Sequence, residues 1–100
     1  MNTSVLPGSK PRVVLVTGGT KGIGRGIAEA FLAAGDCVVV CGRQEPSSLP
    51  MHGGRVAEFI ACDVREVEAT RALVAELVRR HGRLDILVNN AGGSPAAEAA

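Results

Sequence analysis

Gly18, Gly19, Gly22 and Gly24 fall within the stretch Thr17-Gly18-Gly19-Thr20-Lys21-Gly22-Ile23-Gly24, directly after the apolar run Val13-Val-Leu-Val16. A strand that feeds a glycine-rich turn and then a helix makes an anion site. The first backbone N–H groups of the helix have no intrahelical acceptor, and the helix dipole places about half a positive charge beside them. A pyrophosphate satisfies both. The spacing suggests what three of the glycines do. Gly18 permits the tight turn, Gly22 lets the backbone approach the pyrophosphate, and Gly24 lets the helix pack close to the strand.

The pattern Gly18-x-x-x-Gly22-x-Gly24 differs from G-x-G-x-x-G, and it also fails the Walker motif. Counted from Gly19, G-x-x-x-x-G is complete at Gly24, but Arg25 and Gly26 stand where Lys and Ser or Thr would hold phosphate and magnesium. A P-loop NTPase is therefore disfavoured. A tight turn that binds nothing is the plainer alternative, but glycines near a helix start cost roughly 0.5 to 1 kcal/mol each against alanine.

Other residues sit where a dinucleotide would meet them. Gly42-Arg43 follows the second apolar run, at the place where an acidic residue would accept both hydroxyls of the adenosine ribose and repel a 2′-phosphate. Arginine instead offers a planar fork of donors to that phosphate. Lys21 adds a second positive charge from the turn, so the pair favours NADP(H) over NAD(H), against the plain reading of two solvated cations. Asp63 heads the helical pattern with Glu66 three residues on, a capping-box spacing that is also compatible with a carboxylate accepting from the adenine amino group. Asn89 and Asn90 end a buried strand, where amides need hydrogen-bond partners. They either shape the Ala91-Gly92-Gly93 turn or line the cofactor. His81 reads as a packing residue and His52 as a loop residue.

The elements that must position these groups alternate along the chain. Val13 to Val16 reads as a strand buried on both faces. A helix follows from Gly22, with Ile23, Ile27, Ala30, Phe31 and Ala34 at helical spacing and Gly35 as its stop. Cys37 to Cys41 is a second strand, and Pro46, Pro50, Gly53 and Gly54 then argue against a full helix. Val56 to Ala61 is a third strand. The next helix runs from about Arg65 to His81, showing Thr70, Leu73, Val74, Leu77, Val78 and His81 on one face, and Leu84 to Val88 is a fourth strand. Such alternation predicts an α/β fold, a doubly wound parallel sheet of Rossmann type with strand order 3-2-1-4.

Composition bounds the reading. The 100 residues suit one domain, with 46% hydrophobic residues but two Phe, no Trp and no Tyr, so aliphatic side chains must build the core. A net charge of +1 with dispersed basic residues gives no nucleic-acid footprint. Cys37, Cys41 and Cys62 lack C-x-x-C spacing and read as reduced core thiols rather than metal ligands. Residues 1–11 carry no hydrophobic signal core, and no apolar run approaches the ~18 residues of a membrane span. A cytoplasmic protein with a flexible leader over 1–11 and a nucleotide-binding domain over 12–100 is expected.

Thr17-Gly18-Gly19-Thr20-Lys21-Gly22-Ile23-Gly24, Cys62-Asp63-Val64 and Asp85-Ile86-Leu87-Val88-Asn89-Asn90-Ala91-Gly92, in that order, closely resemble the N-terminal half of the short-chain dehydrogenase/reductase family. The resemblance spans residues 12–93. It implies that Gly18, Thr20, Lys21 and Ile23 contact the cofactor phosphates and ribose, that Asp63 and Val64 flank adenine, that Asn90 meets the adjoining ribose, and that Asn89 holds the sheet together. Ala91 and Gly92 complete the expected cofactor-binding set with Gly22, Gly24 and Arg43. The epimerase-like branch spaces its glycines as G-x-x-G-x-x-G, which Lys21 breaks.

The family's catalytic Ser and Tyr-x-x-x-Lys lie beyond residue 100, so no catalytic residue is assigned here, nor any metal ligand. The resemblance implies a homodimeric or homotetrameric oxidoreductase acting on a small carbonyl or alcohol substrate, which Lys21 and Arg43 make NADP(H)-dependent, with this chain its cofactor-binding part and a truncated one. A non-catalytic NADP(H) sensor is the alternative.

Overall fold

A computed structural model describes residues 11–90. Ala91 and Gly92, and nearly all of the expected leader, lie outside the described residues. The first apolar run forms strand β1, Val13–Thr17, buried along its whole length. Helix α1 covers Gly22–Ala33 and strand β2 covers Cys37–Gly42. Two short strands, β3 (Met51–His52) and β4 (Arg55–Val56), precede β5 (Glu58–Ala61), helix α2 (Val67–His81) and strand β6 (Ile86–Asn89).

The main sheet is parallel in the order β5-β2-β1-β6, which is the expected 3-2-1-4 arrangement once the small hairpin is set aside. In its register Leu15 stands between Val39 and Leu87, and Thr17 between Cys41 and Asn89. The carboxyl ends of β1, β2 and β6 therefore meet along one edge. Alternate residues of the central strands feed two core layers. Val13, Leu15, Val39 and Cys41 pack with Leu73 and Leu77 of α2, while Val14, Val16, Val38 and Val40 pack with Ala28 and Leu32 of α1. The helices thus cover opposite faces. Among the described residues no helix is long and apolar enough to cross a membrane.

The buried line of α1 differs from the expected one. Gly24, Ala28 and Leu32 face the sheet, Ile27 and Phe31 flank it, and Ile23 is 79% exposed. Close approach of helix and sheet selects the smallest residues at the contact, which periodicity of large apolar residues does not register. The third strand is also shorter than expected. Val56 pairs with Met51, and Arg55 with His52, in a hairpin turned by Gly53 and Gly54, both at positive φ. This hairpin takes the place of a helix between β2 and β5.

Helix α2 starts two residues later than expected, with Glu66 and not Asp63 at its N-cap. The Asp63 carboxylate is instead engaged by Arg65, so the capping-box reading fails. Gly82, at φ 80°, ends α2 in the left-handed conformation and donates its N–H to the Val78 carbonyl at 2.7 Å. The fourth strand begins at Ile86, although Asp85 already exchanges hydrogen bonds with Val13: its N–H donates to the Val13 carbonyl, and its carboxylate accepts the Val13 N–H at 2.7 Å. At the amino-end edge, buried Asp36 accepts from both Arg12 Nε and Nη2 at 2.9 and 2.8 Å.

Candidate functional site

The carboxyl-end edge collects the glycine turn, the tip of β2, the loop after β5 and the end of β6. Thr17 closes β1, and its hydroxyl accepts the Asn90 backbone N–H at 2.9 Å while facing Asn89 Oδ1 at 3.2 Å and the Val88 carbonyl at 3.4 Å. Asn90 Nδ2 donates to the Gly18 carbonyl at 3.3 Å, and Gly18 N–H donates to the Cys41 carbonyl at 3.0 Å. The turn is therefore pinned from β6 on one side and from β2 on the other.

Two glycines are required by space. A Cβ at Gly24 would run into the Gly18 backbone and stand 2.6 Å from Asn90 Nδ2, and one at Gly19 would stand 2.6 Å from Val40 Cγ1. Such contacts are far inside van der Waals range, so the turn lies flat on the sheet only without side chains there. The close packing expected of Gly24 matches this geometry, whereas the spacing of the motif gives no hint of the need at Gly19. Gly26 faces open space and plays no such part.

Helix α1 begins bare. Its N-cap, Lys21, is extended, no side chain caps the first N–H groups, and the first turn holds no acidic residue. Among the described residues no side chain therefore satisfies those first donors, and the positive end of the helix dipole is not offset within its first turn. Lys21 and Ile23 are both exposed at this end. Thr20 instead lies against the β2 tip, where a Cβ on Gly42 would be 3.6 Å from its Cγ2 and 3.7 Å from its Oγ1.

Beside the turn an open cleft of about 260 Å³ is lined by Gly18, Cys41, Gly42, Arg43, Cys62, Asp63, Val64 and Arg65. The fold thus brings Gly18, Arg43, Asp63 and Val64 together, while Lys21 and Ile23 stand at the helix start and Asn90 behind the turn. Asp63 accepts the Arg65 backbone N–H at 3.0 Å and the guanidinium at 2.7 to 3.3 Å. The Arg65 side chain, then its backbone N–H, with Arg43 adding a smaller pull, hold the Asp63 carboxyl down at about 2. The group is a carboxylate acceptor at neutral pH. Burial, with Cys62 nearby, pushes the Cys41 thiol up to about 11, so it contributes surface to the cleft rather than charge.

Sequence reasoning misses Arg25 and Arg65 as site residues. Arg25 donates to the carbonyls of Thr20, Ser48 and Leu49 at 3.2, 2.8 and 3.1 Å, strapping the loop after β2 onto the start of α1. Its partners lie up to 24 residues away, beyond any local signal. Arg65 is in principle visible, because a cation two residues after an acid at a strand end can fold back on it.

The edge thus combines a helix start with no side-chain cap, a cleft carrying the Arg43 guanidinium, and a carboxylate acceptor at Asp63. Residues 12–100 match the family described as short chain dehydrogenase. An L-fucose dehydrogenase of Oryctolagus cuniculus is 47% identical over 91 residues, covering 84% of this chain and 30% of that protein. An actinorhodin polyketide ketoreductase solved with NADPH is 41% identical with TM-score 0.69, over 90% of this chain and 38% of its own. An NADH-dependent reductase complexed with NAD is 27% identical with TM-score 0.74, over 91% of this chain and 42% of its own. The chain spans about a third of the length of such relatives.

Proposed function

This chain belongs to the short-chain dehydrogenase family, and from that premise we propose that it forms the cofactor-binding part of an NADP(H)-dependent oxidoreductase acting on a carbonyl or alcohol substrate. The observation that carries the reading is the conjunction of an uncapped α1 N-terminus with a cleft in which Arg43, and no acid, follows the tip of β2. The pyrophosphate lies on the Gly18–Gly24 turn, where the first N–H groups of α1 donate to it and Lys21 supplies charge at the rim. Arg43 forks onto the 2′-phosphate of the adenosine ribose.

Asp63, held ionised by Arg65, accepts from the adenine amino group, and Val64 packs beside the ring. Asn90 stands toward the nicotinamide ribose, with Thr20 and Ile23 flanking the phosphates, and Ala91 and Gly92 keep the cofactor-binding role that the family resemblance implies. When bound, the nicotinamide exchanges a hydride with the substrate carbon. The present residues bind, orient and neutralise the cofactor. The proton-transferring groups belong to the part of the family fold that follows, so we assign none of residues 1–100 to catalysis.

We place residues 12–100 in one Rossmann-type domain, and the protein in the cytoplasm as a homodimer or homotetramer. Fluorescence titration of the full-length protein with NADPH and NADH tests the cofactor assignment. Tighter NADPH binding is expected; equal or tighter NADH binding refutes the 2′-phosphate role, and binding of neither refutes the site.

A further inference from the structure

At the opposite edge of the sheet from the cleft, three side chains of different chemistry converge from three elements. Cys37 opens β2, Glu58 opens β5, and His81 ends α2. Cys37 Sγ lies 3.7 Å from His81 Nδ1, and His81 Nε2 lies 3.1 Å from Glu58 Oε2. One ligand atom from each lies within 4.8 Å of the other two. We propose that Cys37, Glu58 and His81 form a site for a divalent zinc-like cation.

The geometry is close to what such an ion needs. Zinc bonds of about 2.3 Å to sulfur and 2.0 to 2.2 Å to nitrogen or oxygen, at tetrahedral angles, separate neighbouring ligand atoms by roughly 3.3 to 3.6 Å. The two measured contacts already lie near that spacing. With a single imidazole nitrogen as ligand, one contact is kept and the third atom closes by about an ångström through side-chain rotation. A thiolate, an imidazole and a carboxylate together suit a borderline-soft ion better than calcium or magnesium, which take oxygen donors. Adjacent to Cys37 and Glu58 lies an open cleft of about 240 Å³ that leaves room for a water as fourth ligand.

The Glu58 and Cys37 anions together neutralise a dication. Two cations stand close by: Arg80 Nη1 pairs with Glu58 Oε1 at 3.5 Å, and the Arg55 guanidinium, held by the carbonyls of Gly35 and Asp36, pulls the Cys37 thiol toward its thiolate. Burial, then the Glu58 charge, push the Cys37 thiol up, against a smaller pull from Arg55, and a coordinated cation would take the place of its proton. Bound there, the ion ties the sheet's β5 edge and the end of α2 to β2. Sequence spacing conceals the trio, since its members lie 21 and 23 residues apart and form no short motif.

The test titrates the reduced, chelator-treated full chain with cobalt(II). One equivalent is expected to raise a thiolate-to-cobalt charge-transfer band in the near ultraviolet, which zinc then abolishes by displacement. Cys37→Ser is expected to remove the band, and Cys62→Ser to leave it. His81→Gln is expected to weaken binding by at least the ~10-fold that loss of an outer-shell partner already causes. Should Cys37→Ser fail to fold, Glu58→Gln and His81→Gln carry the test. Absence of the band at millimolar cobalt overturns the proposal, as does a band that survives Cys37→Ser, or affinity unchanged in both Glu58→Gln and His81→Gln.

Discussion

Arg25 Nη1 donates to the Ser48 carbonyl at 2.8 Å, joining the first turn of α1 to the loop that follows Arg43. The same guanidinium donates to the Thr20 and Leu49 carbonyls, so one side chain ties the glycine turn to the β2–β3 loop. Charge-assisted bonds of this kind contribute about 1.5 to 3 kcal/mol each before solvent screening. Arg25→Ala is therefore expected to lower stability by ~1 to 3 kcal/mol and to weaken NADPH binding more than urea denaturation alone accounts for. Unchanged hydrogen exchange in the loop would show that the strap is not what orders it.

Gly24→Ala puts a methyl group against the Gly18 backbone and Asn90 Nδ2, with no flexible side-chain end to yield on the Gly18 side. Overpacking typically costs ~1 to 3 kcal/mol, and here the glycine turn must lift off α1. Thermal unfolding is expected at lower temperature, with dinucleotide binding reduced at least ~10-fold. Gly26→Ala, facing open space, serves as the matched control and is expected to be neutral or stabilising.

Leu77 is fully buried between α2 and the sheet. Leu77→Ala is expected to destabilise the fold by ~2 to 5 kcal/mol through lost burial and the cavity left behind. Denaturant unfolding reads this directly. Val78→Ala, on the half-exposed side of the same helix, is expected to cost under ~1 kcal/mol.

Asp63 and Glu76 are held at about 2, down from ordinary values of 3.8 and 4.5, chiefly by hydrogen bonds from Arg65 and from Arg79 with Arg80. Depressed carboxyl values mean that the associated stability is fully present above pH ~4.5 and is lost as pH falls toward 2. Carboxyl NMR titration is expected to give midpoints near 2 for both. In Arg65→Ala the Asp63 midpoint is expected to return toward 3.8 while Glu76 stays put.

Much of the fold is legible in the sequence because its signals are local. Continuous β-branched runs mark the central strands, and glycines mark the helix ends at Gly35 and Gly82, both at positive φ. The strand order 3-2-1-4 follows from alternation together with right-handed crossovers in a Rossmann-type sheet. Two features that escape depend on contacts between distant segments, the Gly24-Ala28-Leu32 face of α1, set by how closely helix meets sheet, and the Arg25 strap; the claiming of Asp63 by Arg65 is local, and escapes because Asp63 followed by Glu66 also has the spacing of a helix cap. Arg43, Asp63 and Val64 do meet at one cleft with Gly18, as their positions at neighbouring strand ends require.

The 2′-phosphate assignment to Arg43 is the central claim, and a paired cofactor titration of Arg43→Asp against the unaltered full-length protein tests it most directly. Loss of the guanidinium fork and gain of a carboxylate are expected to weaken NADPH binding ~10- to 100-fold while NADH binding holds or tightens. NADPH affinity unchanged in Arg43→Asp would contradict the account.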